Sequence, residues 1–301
     1  MILRPPRADE FEAMRELMNA HQLAAFGEAD ITADELRLWL SSPSVDVQRD
    51  LRVLEDGGRL VGYADVDPNH QDPPLWWCDV KVAPDADADA VLPELVRWLD
   101  ERARSGTLRV WTGAEDARVL AVLERLGFAS RRHSYRMEIS LGGESQTPVW
   151  PHGITVRTAT AADHRLVYES VIEVWQDTSD PWDESFEEWR HWAIESSAYD
   201  PTLWFLAFAG DGLAGFSLCR ADATDPTAGY VATLGVRRPW RRQGLGEALL
   251  LHSFDAFRSR GYTRATLGVD ASSPTGATRL YERAGMRVYR TTVFLERPVA
   301  G

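Results

Sequence analysis

Cysteine is almost missing from this chain: Cys78 and Cys219 are the only two among 301 residues. They lie far apart and outside any Cys-x-x-Cys pair or Cys/His cluster. Neither a disulfide framework nor a metal site is therefore expected, and both read as buried thiols. A surplus of positive charge is lacking too. Lys and Arg number 33 against 46 Asp and Glu, for a formal net charge of −13, and this argues against nucleic acid, whose phosphates require clustered basic residues. A neutral or cationic small molecule fits the charge better. No stretch approaches the roughly 18 apolar residues of a membrane span. The opening Met1-Ile2-Leu3-Arg4-Pro5-Pro6-Arg7 meets charge and proline before an apolar signal core could form, so the expected location is the cytoplasm. What is present is ordinary globular composition, 44% hydrophobic and 26% charged, with an unusual twelve tryptophans. The length suits two compact domains.

The chain also repeats itself. Val122-Leu123-Glu124-Arg125-Leu126-Gly127-Phe128 matches Leu280-Tyr281-Glu282-Arg283-Ala284-Gly285-Met286, with Gly127 and Gly285 offset by 158 positions. Gly62, in Gly58-Arg59-Leu60-Val61-Gly62-Tyr63, matches Gly215 at an offset of 153. Leu3-Arg4 with Asp9 resembles Val156-Arg157 with Asp163, each Asp a candidate N-cap of a first helix. Because the offset grows between anchors, the second copy carries extra residues in its middle. A Gly/Ser/Pro linker at Gly142 to Pro148 divides the copies, giving domains 1–143 and 152–301.

In the second copy, strands are predicted at Trp204–Phe208, Ala214–Cys219, Tyr230–Val236, Ala265–Val269 and Val288–Glu296. Helices are predicted from Gly246 to about Ser259 and from Pro274 to Ala284, each closing on basic residues and then glycine. The plan is mixed α/β.

The chemistry concentrates where the strand ending at Val236 turns into a helix through Arg241-Arg242-Gln243-Gly244-Leu245-Gly246. Glycines let a ligand approach the backbone, and the free N–H groups of a first helical turn face it with the positive end of the dipole. Taken alone, the same residues also fit a plain strand-to-helix turn with two solvated arginines. The dinucleotide fingerprint G-x-G-x-x-G fails because Leu249 stands at its last glycine, and the nucleotide loop G-x-x-x-x-G-K-[ST] lacks its lysine.

At these residues the chain resembles the GNAT superfamily, the GCN5-related N-acetyltransferases, whose R/Q-x-x-G-x-G/A signature reads here Arg241, Gly244 and Gly246. A second Asn–Ala–Tyr signature of the family maps onto Ser273, Ala277 and Tyr281, with Ser in place of Asn. The resemblance covers most of Tyr230 to Glu296. It implies two tandem GNAT-like domains, each a central mixed, mostly antiparallel sheet flanked by helices. It also implies acetyl-CoA as co-substrate, laid along Leu234, Gly235 and Val236, its pyrophosphate on Arg241 to Glu247. Ser273 and Ala277 would complete the cofactor site, and Tyr281 would protonate the leaving thiolate. Without the motif, Tyr281 reads equally as a packing residue. The tandem arrangement is similar to that of the mycothiol synthases, GNAT enzymes that acetylate a cysteinyl pseudodisaccharide with the C-terminal lobe alone.

An amine acceptor arrives as ammonium and needs a base, which the sequence does not single out. Candidates for holding it are Trp175, Asp177, Asp180, Trp182, Asp183 and Tyr230, where carboxylates alternate with rings that could face a cation. The same acids also fit helix caps and solvated surface. In the first copy, Ala83 to Ala90 stands against the glycine turn with Asp85, Asp87 and Asp89 and neither Gly nor Arg, and Leu123 replaces Tyr281. That copy is expected not to bind acetyl-CoA. The function read here is acetyl transfer to a small amine, with pseudodisaccharide acetylation and a non-catalytic CoA-binding sensor as alternatives.

Overall fold

The computed structural model describes residues 1–69, 73–181 and 183–299. Two compact units emerge. The first comprises Met1–Ser134 with the segment from Thr291 onward, the second Tyr135–Arg290.

In the first unit β1 (Ile2–Arg4) leads to α1 (Phe11–Phe26), α2 (Ala33–Leu40) and the single turn α3 (Val47–Asp50). There follow β2 (Leu51–Asp56), β3 (Arg59–Asn69), β4 (Leu75–Val82), α4 (Ala88–Ala103), β5 (Thr107–Gly113), α5 (Ala117–Arg125) and β6 (Ala129–Ser140). The second unit repeats this order with β7 (Ile154–Thr158), α6 (His164–Trp175), α7 (Phe186–Ala193), β8 (Trp204–Ala209) and β9 (Gly212–Ala221). It continues through β10 (Ala228–Val236), α8 (Leu245–Ser259), β11 (Arg264–Asp270), α9 (Ala277–Arg283) and β12 (Arg287–Pro298). The predicted strands and helices are all present, with one difference: the last helix starts at Ala277 rather than Pro274. Asp270 gathers the amide and hydroxyl of Ser272 into a turn, and Gly276, at φ +74°, makes the left-handed step into the helix.

Each sheet is mixed. In the first unit β4 and β5 are parallel, and β1/β2, β2/β3, β3/β4 and β5/β12 are antiparallel. In the second, β10 and β11 are parallel, and β7/β8, β8/β9 and β9/β10 antiparallel. Helices cover both faces of each sheet, with separate apolar cores beneath α4/α5 and α1/α2, and beneath α8/α9 and α6/α7. Gly62 and Gly215 serve one purpose in both copies. A Cβ on Gly62 would lie 2.8 Å from Val91 of α4, and one on Gly215 would lie 3.1 Å from Leu249 of α8, so glycine lets the helix sit down on the strand.

The units do not divide at the Gly142–Pro148 linker. The chain passes between them inside β6 and again inside β12, whose residues Thr292–Pro298 pair with β5 of the first unit. The outer part of β6 lies beside β11 of the second, where Glu138 holds Arg264 at 2.9 Å and the Leu141 amide donates to the Thr263 carbonyl at 2.8 Å. Each half of the sequence lends the other a strand. The expected helix caps shift as well. Glu10, not Asp9, ties back to the Arg7 amide and to Arg4, just as Asp163 ties to Thr160 and Arg157. The Arg4 guanidinium holds the Glu10 carboxyl down to about 2.

Candidate active site

The site begins where two paired strands part. β10 and β11 run in register from Ala228/Arg264 to Val231/Leu267, after which β10 continues to Val236 and β11 to Asp270 without pairing to each other. Along that extension the register shows pairing to β9 only among the described residues, from Thr233/Leu218 to Val236/Gly215, after a one-residue bulge at Ala232. A strand that separates from its neighbour presents unpaired backbone groups, which a ligand containing amides can satisfy as an added strand would. Gly235 belongs to this stretch because nothing larger fits: a Cβ there would stand 2.4 Å from the Phe216 ring.

After Val236 the chain makes a 3₁₀ turn at Arg238–Trp240 and enters α8 through two left-handed residues, Arg242 at φ +60° and Gly244 at φ +87°. Arg241 folds back on the strand, its Nε donating to the Val236 carbonyl at 2.9 Å. Leu245 anchors the helix start in the core, with only its amide on offer, whereas Arg242, Gln243 and Gly244 are exposed. The Ala248 amide is the first to close a helical bond, onto the Gly244 carbonyl. The preceding amides of Leu245, Gly246 and Glu247 thus belong to a helix N-terminus able to receive an anion. A Cβ on Gly246 would meet Leu280 at 3.2 Å and Val236 at 3.5 Å, so bare backbone here also keeps α8 close to α9.

Tyr281 lies on α9 in the same apolar core as Leu245 and Leu249, only 7% exposed. Burial, with Tyr230 nearby, pushes its phenol up to about 12, so it is a proton donor at any ordinary pH. The same desolvation pushes the Cys219 thiol of this core up to about 11. Ser273 bonds Thr275 (2.9 Å) in the turn before α9, and Ala277 opens that helix.

The acceptor candidates separate. Asp177 is committed elsewhere: both its oxygens are held by Arg238 (2.6 and 2.9 Å) and by Arg241 (2.7 Å), which keep its carboxyl down to about 2. Trp175 packs half-buried into the α6/α7 core, and Asp183 is exposed. The Asp180 carbonyl accepts from the Thr178 hydroxyl at 2.9 Å. Trp182 lies outside the described residues. Tyr230 is half-buried between the guanidinium groups of Arg136 (4.7 Å) and Arg220 (4.8 Å), stacked rather than free to grip an ammonium. Arg238 was not foreseen. Its signal was the second arginine directly after Val236, which reads as one more surface charge until Asp177 is placed.

In the first unit the corresponding strands part in the same way. β4 pairs with β5 from Leu75/Thr107 to Cys78/Val110 and continues to Val82 beside β3. The two copies register identically there, Gly62 opposite Val82 and Gly215 opposite Val236, with the next amide in each returning to the neighbouring strand at 3.0 Å. In this unit, however, the gap is filled. His21 of α1, fully buried, sets Nδ1 3.3 Å from the Val82 amide nitrogen and 3.2 Å from its carbonyl oxygen. Lys81 stands where the second copy has Gly235 and pairs with Asp79 at 2.7 Å. The acids of the following turn have structural duties: Asp85 pairs with Arg59 (2.9 Å), Asp87 caps α4, and Asp89 pairs with Arg125.

A model of the Acetyltransferase (GNAT) family matches residues 168–286. A mycothiol acetyltransferase of Nocardia farcinica is 31% identical over 287 residues, 91% of this chain and 89% of its own. One from Acidothermus cellulolyticus is 29% identical over 82% and 79%. Among solved structures, a GCN5-related N-acetyltransferase from Sphaerobacter thermophilus superposes at a TM-score of 0.78 with 30% identity, covering 100% of this chain and 96% of that one. A tandem GNAT protein from the clavulanic acid biosynthesis pathway shares the fold at a TM-score of 0.76 and 16% identity. The chain belongs to the GNAT family and is an N-acetyltransferase. Among its described residues no helix is long and apolar enough to cross a membrane, and no cluster of His, Cys, Asp and Glu could hold a metal ion.

Proposed function

We propose that the second unit binds acetyl-CoA and transfers its acetyl group to the amine of a small molecule, while the first unit binds no cofactor. One observation carries this: β10 parts from β11 after Val231 and delivers its open backbone directly to a glycine-bearing helix N-terminus. Backbone groups of Leu234, Gly235 and Val236 would pair with the pantetheine amides. Arg241, Arg242, Gln243 and the amides from Gly244 to Glu247 would hold the pyrophosphate, and Ser273 and Ala277 would border the site from the α9 side. Acetyl-CoA supplies an activated acyl carbon, so transfer forms a C–N bond and breaks a C–S bond. Backbone N–H groups of the β10 extension offer hydrogen bonds to charge developing on the acyl oxygen. Tyr281, held neutral by burial, gives its proton to the departing sulfur; the attacking nitrogen sheds one proton to water and water restores the phenol, so the amine proton ends on the thiol.

For the acceptor, the relatives named mycothiol acetyltransferase support a cysteinyl pseudodisaccharide, because the similarity runs through both units rather than the cofactor-binding half alone. The test is to incubate the full chain with acetyl-CoA and a panel of amines, following thiol release and product mass. Release with a cysteinyl pseudodisaccharide and a product heavier by one acetyl group is the expected result. Release with other amines only would redirect the acceptor, and tight CoA binding without release for any amine would favour a CoA-binding sensor.

A further inference from the structure

Asp177 sits at the end of α6, fixed by the backbone: its amide donates to the Val174 carbonyl at 3.2 Å, and the next amide donates to Trp175 at 3.1 Å. From there it reaches the turn after β10. Its carboxylate accepts from Arg238 Nε and Nη2 at 2.9 and 2.6 Å and pairs with Arg241 Nη2 at 2.7 Å. Two residues on, Ser179 donates to the carboxylate of Asp270 at the end of β11. The segment Asp177–Ser179 is thus tied to the ends of both strands whose separation opens the site. What Asp177 presents to the arginines is an oxyanion with two acceptors, the same chemistry a pyrophosphate offers. Its own charge is secure, since protonation would require far more acid than any working pH.

We infer that Asp177 is an internal stand-in for the cofactor pyrophosphate, a latch that occupies Arg241, with Arg238 holding it from the other side, until CoA displaces it from Arg241 and loosens the segment Asp177–Ser179. The inference rests on the assignment of this turn to the pyrophosphate. Its physical content is competition: the Arg241 guanidinium cannot satisfy the carboxylate and a pyrophosphate with the same N–H donors. CoA therefore binds against the cost of breaking the Asp177–Arg241 pair. Exposed ion pairs are weak, so the effect to be read is a several-fold change in CoA affinity. Loosening the segment would also couple cofactor arrival to the region between the first two helices of this unit.

The experiment is calorimetric titration of the full chain and its Asp177→Asn variant with CoA and, separately, with S-acetylpantetheine, which lacks the pyrophosphate. The variant should bind CoA several-fold more tightly and S-acetylpantetheine equally well. An unchanged or weaker affinity of the variant for CoA overturns the latch, as does an equal gain for both compounds. A second reading uses the unmodified chain: hydrogen exchange at the amides of Asp177 to Asp180 should quicken when CoA is added and stay constant with S-acetylpantetheine. Slower exchange with CoA would overturn the latch independently of any variant. A wild-type chain that binds CoA no better than S-acetylpantetheine would instead remove the pyrophosphate assignment, and the latch with it.

Discussion

The two units open the same gap and treat it oppositely. In the first, the backbone of Val82 is met by His21, Lys81 fills the position of a glycine, and the acids of the next turn are spent on Arg59, Arg125 and a helix cap. In the second, Val236 meets a turn arginine, glycine occupies position 235, and the following turn ends at a helix N-terminus whose first helical bond is made by the Ala248 amide. The splayed strand pair is thus a property of the fold, not of the activity. What distinguishes a ligand site from a plugged one is whether the chain's own side chains complete the backbone. His21 is well suited to plugging: burial and the Lys81 charge push it down to about 3, so it stays neutral and adds no cation to be neutralised.

The largest test of this contrast is at the residue with no counterpart. Leu123 is fully buried where the second unit has Tyr281. Tyr281→Phe should cut kcat by about 10²–10⁴-fold and leave the Kd for CoA unchanged, as steady-state rates and titration together would show. An undiminished kcat would make Tyr281 a packing residue like Leu123 and return the two units to equivalence at that position. Because its phenol is pushed up to about 12, Tyr281 should also produce no alkaline fall in kcat below about pH 10.

Next comes the turn. Gly246→Val would press on Leu280 and Val236 and push α8 away from α9, so CoA affinity should drop by about tenfold or more. Gly244→Val forces a branched side chain into a left-handed backbone and should act in the same direction. Replacing Asp85, Asp87 and Asp89 together by Asn should leave CoA binding where it was, since these acids are held by Arg59, a helix cap and Arg125. A gain of a second CoA per chain in that triple variant would show that charge, rather than the His21 and Lys81 plug, closes the first unit.

Much of this was legible before any coordinates. The repeat, the strand-to-helix turn and the acidic gap in the first copy all lie in short contiguous segments, where spacing carries the information. The exchanged strands were not legible. β6 and β12 look alike in composition, and nothing local in Ala129–Ser140 or Arg287–Pro298 says which unit's sheet each will extend, because pairing is decided by distant edges. The same limit applies to Asp177. Among its acidic neighbours it reads as a candidate for holding a cationic acceptor, and only the return of the chain some 60 residues later, bringing Arg238 and Arg241, gives it its partners. The His21 plug was hidden for a similar reason: a histidine on an amphipathic helix announces no partner until the helix is docked.

The smallest effect sharpens the comparison most, because it concerns the interior of the plugged unit. Asp65 lies on β3 beside Tyr63, whose hydroxyl donates to it at 2.6 Å; at the matching position after Gly215 the second unit carries the apolar Leu218. Burial, together with the charge of Asp79, pushes the Asp65 carboxyl up to about 8, with the Tyr63 hydroxyl, the Asp79 amide and Lys81 only partly offsetting this. Its unfolded value is about 3.9. A folded value above the unfolded one means that the native unit holds a proton the unfolded chain has released. The stabilisation is therefore full below about pH 4 and is lost as pH rises through 8. His21 slopes the other way, since its folded value near 3 lies below its unfolded value of about 6.5, and its contribution is lost as pH falls. Between pH 6.5 and 8 the Asp65 trend should stand alone. Hydrogen exchange of the β3 and β4 amides should then report a first unit that weakens across this window, while β9 and β10 stay level. Asp65→Asn, which keeps the shape and cannot ionise, should flatten the first unit's slope to match the second. A slope that survives in the Asn variant would move its origin away from Asp65, and with it the view that ionisable groups fill the interior of the first unit where apolar Leu218 stands at the matching place in the second.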